Sequence, residues 1–543
     1  MHVEGILLFI LGAVAVVVAV RWLTGKTGLP SAALLTLVGI LYAVLPGPNL
    51  ELDPDLILTL VIPPLLYSAA LDSSLIDIRR NMRTVISLSV ALVLATAMLI
   101  GLGFSLWVTG ATLAAGVALG AAVAPPDPVA ALAVGRRVGL PNKLVTLIQG
   151  EGLLNDATAL TILSVAVAAN SGVDFSFPAA VGQFVISAAG GVVAGVTVAY
   201  LVRLMRRLRA DPLISNAVSL ATPFAAYLLG ERMGVSGVLA VVVAGLIVGH
   251  DTPRMATGAS RLQTSAVWRL VDFLLEGLVF LLIGQQLPSV VNELSAYKVS
   301  TIVIAVSISV GVVLLLRPLW LVLTQLLPKS LHTRLGGELD PDQVSRREQP
   351  LDGREVTALS WAGTRGVISL AAIFTLPRTF PDADLLYFCT FIVVLVTLVG
   401  QGLTFAPLVR RLGLRANAAD AVRVRNEARS AAVKAALDRL DEIQEERHDH
   451  VEDHAIESTR RQLDHRLERY RRRLDLLEQS DSDEVPESPQ YEAALQVRRA
   501  VIDAQREELL RWRDAGRLSD DGLRVLEREL DHEERLLPDR PVG

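Results

Sequence analysis

A seven-residue motif with two carboxylates and an amide interrupts an otherwise apolar stretch. It reads Gly150-Glu151-Gly152-Leu153-Leu154-Asn155-Asp156. On an α-helix, Glu151 and Asn155 are four residues apart and Asp156 lies one step further round, so the polar groups occupy neighbouring parts of one face. Hard oxygen donors of this kind suit a small cation such as Na⁺, and a carboxylate in a partly dry site can exchange a proton near physiological pH. We expect this chemistry of Asp156, whereas a structural salt bridge explains Glu151 equally well.

A second motif places a carboxylate among prolines. In Ala124-Pro125-Pro126-Asp127-Pro128, three prolines in four positions remove backbone donors and clash with preceding carbonyls. The pattern predicts an interrupted helix with free carbonyls beside Asp127. Irregular backbone at membrane depth is tolerated only where it is buried in protein or lines a polar cavity. A purely structural kink is the alternative, but the carboxylate inside the break favours a functional one.

Two arginines also lie within apolar stretches. Arg365 belongs to a glycine-rich interruption, Trp361-Ala362-Gly363-Thr364-Arg365-Gly366, and Arg317 precedes Pro318. An ionised side chain inside hydrocarbon costs at least ~2.5–3.5 kcal/mol, so each needs a partner or a function. Arginine stays protonated, and these two cations are therefore available to the three buried carboxylates. Glu276 is a further buried acid, to which we assign a packing or interface role.

The charge of the chain is divided between two regions. Of 543 residues, 52% are hydrophobic and 20% charged; residues 1–416 carry a net charge of +4 and residues 417–543 a net charge of −9. The first region has too few charges for a solvated surface, and the second has too many for a buried core. We predict a transmembrane domain over 1–416 and an acidic, helical cytoplasmic tail over 417–543. No basic, aromatic-rich face suggests nucleic-acid binding, and the single Cys389 excludes an intramolecular disulfide.

Hydropathy predicts an all-α membrane protein with thirteen transmembrane helices, since about 20 apolar residues cross a bilayer. The first is interpreted as a retained helix, because it lacks the basic start and cleavage site of a signal peptide. The segments are 5–21, 31–46, 55–71, 84–108, 112–134, 144–169, 177–202, 213–229, 234–249, 266–287, 299–326, 356–376 and 384–409.

Loop charges predict the orientation. Alternate connections carry 22 Lys and Arg residues on one side, whereas the other side carries only Arg232, Lys298 and Arg378. By the positive-inside rule, the amino terminus lies outside a cell membrane and the tail lies in the cytoplasm.

The two interruptions occupy matching places in two halves. They fall in the fifth and twelfth predicted transmembrane segments. The first six segments and the last six therefore form two halves with opposite orientations, on either side of the seventh segment. Paired broken helices in such inverted repeats indicate a secondary transporter. The repeat is inferred from the architecture, because the residues of the two halves are not convincingly similar.

These motifs resemble the monovalent cation:proton antiporter-1 family, the bacterial sodium/proton antiporters and the related sodium/hydrogen exchangers. The resemblance extends through essentially all of 1–416. The Gly-Glu and Asn-Asp pairs of the first motif are its most specific part. Further matches are Pro63-Pro64-Leu65-Leu66-Tyr67, Pro126-Asp127-Pro128-Val129-Ala130, Val235-Ser236-Gly237-Val238-Leu239-Ala240, Phe280-Leu281-Leu282-Ile283-Gly284 and Gly363-Thr364-Arg365-Gly366.

The resemblance implies a homodimeric antiporter, not an enzyme, with no cofactor. A six-helix core would move against a dimerisation domain and give alternating access to one cation site. Asp156 would bind either the monovalent cation or the proton, and Asp127 with its freed backbone would assist. Asn155, in place of a second aspartate, would mark electroneutral exchange. The expected partners are Na⁺ or another monovalent cation, H⁺ and membrane lipid, with roles in pH homeostasis and sodium tolerance.

The same resemblance assigns supporting roles. Glu151 would be a structural acid paired with Arg317, and Arg365 would stabilise carbonyl ends at the helix crossing. The residues that shape the two breaks would be Pro125, Pro126, Pro128, Gly363 and Gly366.

Three departures from the family pattern leave sodium and potassium both open. Pro126 stands where relatives often have Thr, Ser68 where many have Glu, and Gly152 where some have Ser. The pocket is therefore poorer in side-chain oxygens than in those relatives. Potassium/proton or broad monovalent cation/proton exchange is the main alternative, and a cation channel or a membrane sensor that signals through its tail are rivals of other classes.

The tail composition predicts helices over 417–478, 491–515 and 518–536, with a linker at 480–490. Five of the eight histidines lie in this region. We interpret them first as solvated residues, second as a cytoplasmic pH sensor and only third as metal ligands. They are His448, His450, His454, His465 and His532.

Overall fold

In the part of the chain that it describes, the computed structural model contains helices joined by turns and loops, and no strands. The chain divides into two compact units, Met1–Ala416 and Asn417–Gly543. The described residues are 3–27, 31–44, 57–128, 131–132, 135, 138–170, 177–207, 211–326, 351–377, 379–414, 418–446, 450–478, 489–515 and 517–534.

Fifteen helices of the first unit are used below. The first thirteen, in chain order, are α1 Val3–Thr27, α2 Ser31–Val44, α3 Ile57–Leu71, α4 Leu75–Arg80, α5 Met82–Trp107, α6 Leu113–Val123, α7 Asn142–Asn170, α8 Phe177–Arg207, α9 Pro212–Arg232, α10 Gly237–Met255, α11 Gly258–Glu293, α12 Val299–Leu326 and α13 Gly353–Trp361. The last two are α14 Val367–Phe374 and α15 Ala383–Leu412.

Each of the thirteen predicted segments contains helix. The fifth and twelfth segments are interrupted, with α6 ending before one break and α13 and α14 on either side of the other. Within the described residues, seven helices are long and apolar enough to cross a membrane, namely α5, α7, α8, α9, α10, α12 and α15. Apolar helices α2, α3 and α6 are shorter. The total of thirteen crossings and their inverted repeat remain predictions.

Apolar side chains divide the first unit into two groups of helices. One buried cluster draws mainly on α1–α3 and α8–α11, which we call the scaffold group. Two others draw on α5, α6, α7 and α12–α15, which we call the core group. Three helices of the core group, α7, α14 and α15, also contribute to the scaffold cluster, so they form the contact between the groups.

Within the scaffold group, α2 and α11 cross with their backbones in contact. A Cβ atom built on Gly39 would lie 2.1 Å from the Leu281 carbonyl oxygen, and one on Gly284 would lie 2.1 Å from the Thr36 carbonyl oxygen. Only glycine fits at either position, because the obstructing atoms are backbone atoms that cannot rotate away. The motif that ends in Gly284 is therefore a packing motif.

We expect Gly284→Ala to separate α2 from α11 and to lower thermal stability, because an extra methyl group in a packed contact costs about 1–3 kcal/mol or more. The measurement is the midpoint of heat-induced loss of the gel-filtration peak in detergent. Gly12→Ala on α1 is the control, since nothing lies within 4 Å of its added Cβ. A Gly284→Ala protein as stable as the control variant would contradict the close crossing.

The second unit contains four helices, α16 Ala418–Glu446, α17 His450–Glu478, α18 Pro489–Asp514 and α19 Asp520–Glu534. Helix α16 packs on α17, and α18 packs on α19. Ion pairs join the helices of each hairpin: Arg460 contacts Asp441, and Arg506 contacts Asp531 and Glu534 at 2.6 and 2.7 Å. Exposed pairs of this kind each stabilise a fold by about 0–1 kcal/mol.

The tail histidines have no common site in the described residues. His465 and His532 are exposed, and His448 lies outside the described residues. No group of three His, Cys, Asp or Glu side chains with the geometry of a metal site occurs in the described part of the chain. The metal-binding interpretation of these histidines therefore gains no support, and their role in pH sensing stays a prediction.

Candidate functional site

The two helix breaks meet each other in the core group. The break after α6 spans residues 124–127, and the break between α13 and α14 spans residues 362–366. The Asp127 amide donates to the Thr364 carbonyl oxygen at 2.6 Å, and the Thr364 hydroxyl donates to the Asp127 carbonyl oxygen at 3.1 Å. This reciprocal pair of hydrogen bonds satisfies backbone groups that the prolines and glycines release from helical pairing.

Arg365 contacts the carbonyl ends of both interrupted helices. Its Nε donates to the Val123 carbonyl oxygen at 2.8 Å, at the end of α6, and its guanidinium also donates to the Gly363 carbonyl oxygen, beyond the end of α13. The Arg365 amide donates to the Thr397 hydroxyl at 3.0 Å. A cation at the carboxyl ends of helices compensates their partial negative charge, so the contacts of Arg365 fit a stabiliser of the crossing.

The Asp127 carboxylate lies against Gly366 at the start of α14. A Cβ atom at Gly366 would be 1.8 Å from Asp127 Oδ2. The amino end of a helix carries unpaired amides and partial positive charge, which favour an anion. A glycine at this position therefore lets the carboxylate approach the helix end.

We expect Gly366→Ala to displace the Asp127 carboxylate and to reduce ion transport by at least ~10-fold, the factor that about 1.4 kcal/mol produces. The measurement is cation-driven proton flux in proteoliposomes. Gly311→Ala is the matched control, because its added Cβ meets nothing within 4 Å and alanine favours the helix. Equal flux in both variants would show that the approach of Asp127 to α14 is unimportant.

Helix α7 places Asn155 and Asp156 beside the first break. Asn155 is fully buried, and its Nδ2 donates to the Pro126 carbonyl oxygen at 3.1 Å. Its Oδ1 is buried and accepts no hydrogen bond from the residues described. Asp156 is 4% exposed and lies within electrostatic range of Asp127. None of the described residues donates a hydrogen bond to the Asp156 carboxylate or forms an ion pair with it.

Glu151, one turn earlier on α7, has a different environment. Arg317 of α12 contacts both of its carboxylate oxygens, with Nη2 at 2.8 Å from Oε2. The Arg317 Nε donates to the Leu359 carbonyl oxygen at 3.0 Å, and Ser89 donates to the Glu151 carbonyl oxygen at 3.1 Å. Glu151 is thus neutralised by a bidentate partner, whereas Asp156 has none among the residues that the structure describes.

Gly152 faces the point where helix resumes after the first break. A Cβ at Gly152 would lie 2.5 Å from Pro128 Cγ. The proline ring therefore occupies the space that a serine side chain at this position would need. The absence of a hydroxyl ligand here follows from the packing of α7 against the break.

Apart from Pro125 and Asp156, each candidate site residue has a described contact at this crossing or on the adjoining face of α7, and Asp156 lies within electrostatic range of Asp127. Sequence reasoning did not assign Ser89, Thr364 and Thr397, whose hydroxyl groups contact Glu151, Asp127 and Arg365. Thr364 could have been found from the sequence, because it belongs to the Gly363-Thr364-Arg365-Gly366 motif. Ser89 and Thr397 lie in π-helical turns within α5 and α15, and no sequence pattern indicates such turns.

Two interrupted helices that cross beside a buried carboxylate, within an apolar helical bundle, define the architecture of a secondary transporter. Residues 12–411 match the family described as sodium/hydrogen exchanger, transmembrane. The chain belongs to the sodium/hydrogen exchanger family and is an integral membrane protein. The predicted family is thereby confirmed.

Individual relatives agree with this assignment. A protein of Mycobacterium tuberculosis named as an uncharacterized Na⁺/H⁺ exchanger is 31% identical over 98% of this chain and 96% of its own length. The sodium, potassium, lithium and rubidium/H⁺ antiporter of Bacillus subtilis is 31% identical over 68% of this chain and 56% of its own. The sodium proton antiporter MjNhaP1 from Methanocaldococcus jannaschii has a similar fold, with TM-score 0.58 and 19% identity over 76% of this chain and 99% of that one.

Proposed function

We propose that this protein is a secondary active, electroneutral antiporter that exchanges one Na⁺ for one proton by alternating access. The observation that carries the proposal is the contrast between two carboxylates of α7. Glu151 is neutralised by Arg317, whereas Asp156 is buried beside Asp127 and lacks a partner among the described residues. A buried carboxylate without a counter-ion requires either a proton or a cation.

In this proposal, Na⁺ and H⁺ compete for Asp156. The ionised carboxylate binds the cation, with Asp127, the free Asn155 Oδ1 and backbone carbonyls released at the breaks as further oxygen ligands. Protonation of Asp156 removes the charge that holds the cation and releases it. Asn155 cannot ionise, which supports exchange of one proton for one cation.

Movement would occur between the two groups of helices. The core group holds both breaks and Asp156, and it meets the scaffold group through α7, α14 and α15, which also contribute to the scaffold cluster. We infer that the core group moves against the scaffold group of a homodimer, exposing the site to each side in turn. We further propose thirteen crossings in the cell membrane, with the amino terminus outside and residues 417–543 as a cytoplasmic tail.

Potassium/proton exchange is the second candidate. The pocket is poorer in side-chain oxygens than in many relatives, because Pro126 and Gly152 supply none and Ser68 supplies a hydroxyl in place of a carboxylate. The name of the Bacillus subtilis relative includes sodium, potassium, lithium and rubidium. Broad selectivity is therefore a specific alternative for this pocket.

The test is ion exchange by the full chain in proteoliposomes, with internal pH reported by a trapped dye. Na⁺, Li⁺, K⁺ and Rb⁺ are each added at several pH values, with the membrane potential clamped at zero or at a negative value. Na⁺-driven proton efflux at a rate independent of potential is expected. A strong dependence on potential would contradict electroneutral exchange, and ion currents without proton movement would indicate a channel.

A further inference from the structure

The hydroxyl of Ser369 on α14 is buried and lacks a hydrogen-bond partner. Ser369 is 1% exposed, and its Oγ forms no hydrogen bond with any residue that the structure describes. A buried hydroxyl without a partner is costly, because it loses its hydration and gains nothing in return. The mechanism proposed above does not use this group, so its position requires an explanation.

The helix break explains why this hydroxyl is free. Serine and threonine within a helix can donate to the carbonyl oxygen four residues earlier, as Thr161 does on α7 and Ser309 does on α12, each at 2.7 Å. For Ser369, that carbonyl belongs to Arg365, which lies in the break before α14 begins. The intervening Gly366 has extended backbone angles, φ −136° and ψ −154°. The usual local acceptor is therefore not in a helical position, and the hydroxyl remains available.

Ser369 lies at the end of α14 that meets the first break. It is three residues after Gly366, which is less than one helical turn. An added Cβ at Gly366 would be 1.8 Å from Asp127 Oδ2, so the Asp127 carboxylate touches the amino end of α14. The Ser369 hydroxyl thus belongs to the first helical turn beyond the point that this carboxylate approaches.

Helical periodicity places Ser369 on the side of α14 that packs against α6 and α7. Ser369, Ala372 and Ile373 share one face, because they are three and four residues apart. Ala372 and Ile373 belong to an apolar cluster that also contains the end of α6, at residues 121–124, and Ala159 of α7. Ser369 occupies the same face one turn nearer to the break.

Helix α7 carries the proposed ion site next to this face. Helices α7 and α14 pack against one another, and Asp156 is three residues before Ala159. The neighbouring Asn155 has a buried Oδ1 that also lacks a partner among the described residues. Two unpartnered oxygens, one on α7 and one on α14, therefore lie on the surfaces where the carboxylate-bearing segments of the site meet.

We propose that Ser369 Oγ is a further ligand of the transported cation. The inference rests on the proposed exchange function. A hydroxyl oxygen is a hard donor that suits Na⁺, and a neutral ligand leaves the exchange of one proton for one cation unchanged. Ser369 would supply from α14 an oxygen that Pro126 in the break and Gly152 on α7 do not supply.

The experiment measures cation-driven proton flux by full-length variants in proteoliposomes, with Na⁺ and K⁺ as separate probes. For the cation that the unaltered protein exchanges, Ser369→Ala should raise KM about 10-fold, equivalent to about 1.4 kcal/mol. The maximal rate should change much less, because Asp156 still exchanges the proton. Ser369→Cys keeps the volume but offers a soft sulfur ligand, so it should raise KM as alanine does. Ser369→Thr keeps a hydroxyl and should preserve most of the affinity.

Ser309→Ala is the matched control. Ser309 is equally buried on a helix of the core group, but its hydroxyl donates to the Ala305 carbonyl oxygen. This variant should leave KM unchanged. Because an unpartnered hydroxyl contributes no hydrogen bond to the fold, Ser369→Ala should lose no more thermal stability in detergent than Ser309→Ala.

The possible failures are distinguishable. In a protein that exchanges a cation, an unaltered KM in Ser369→Ala or in Ser369→Cys would overturn the ligand role and leave the proposed function standing. An equal rise of KM in Ser369→Thr, or a larger loss of thermal stability in Ser369→Ala than in the control, would assign the side chain a packing role and also overturn it. Absence of exchange by the unaltered protein with either cation would refute the proposed function itself.

Discussion

Replacement of Asp156 by asparagine is expected to abolish cation/proton exchange. The amide keeps the size of the side chain but can neither release a proton nor supply the negative charge that holds a cation. Among the residues that the structure describes, Asp156 is the α7 carboxylate without a counter-ion, so its replacement removes the group proposed to alternate between cation and proton. The loss should be at least ~100-fold, the scale on which proton-transfer groups act, and should apply equally to Na⁺, Li⁺, K⁺ and Rb⁺.

The measurement is cation-driven proton flux in proteoliposomes, normalised to inserted protein. Asp211→Asn is the matched control, because Asp211 is an exposed residue before α9 whose side chain caps no amide. That variant should exchange as the unaltered protein does. Full exchange by Asp156→Asn would remove Asp156 from the mechanism, and selective loss for one cation would point to a role in selectivity alone.

Disruption of the buried pair between Glu151 and Arg317 is expected to cause the largest loss of stability. The two side chains are 1% and 3% exposed, so removal of either partner leaves an unpaired charge in the core group. Such changes cost about 3–5 kcal/mol. The double variant Glu151→Leu with Arg317→Met should be more stable than either single variant, because it leaves no unpaired charge.

Thermal midpoints of the purified proteins in detergent provide the measurement. The pair of Arg203 and Asp251 offers a control, since its side chains are 49% and 22% exposed and its charged atoms are 3.6 Å apart. Arg203→Ala should cost about 1 kcal/mol or less. Strictly additive losses in the double variant would contradict a direct interaction between Glu151 and Arg317.

Much of the candidate site follows from local chemistry along the chain. The breaks are predictable because proline lacks a donor and clashes within a helix, an effect that acts over about four residues. The face shared by Asn155 and Asp156 follows from helical periodicity. The family was likewise identified from contiguous motifs, with Asn155-Asp156 as the most specific pair.

Other features could not be read from the chain in this way. From the sequence, Glu276 was assigned a packing or interface role and Asp272 was assigned none, although their spacing of four residues was visible. The hydrogen bond from Ser68 to Asp272 depends on how α3 and α11 approach one another. In the sequence, Gly152 indicated only that a serine ligand is absent. The structure gives the reason, because the Pro128 ring occupies the space that a side chain at this position would need.

By itself, the sequence determined the class of the protein, an apolar helical chain with a few ionisable residues and two helix breaks, because hydropathy and proline geometry are local properties. Only the tertiary structure decided which charges meet. Arg317 pairs with Glu151 across 166 positions, and Arg365 contacts carbonyl groups at the ends of both interrupted helices. Within the described part of the chain, Asp156 has no ion-pair partner. These outcomes depend on close packing between helices far apart in the chain, where a difference of a few ångströms separates a neutralised carboxylate from one that can bind an ion.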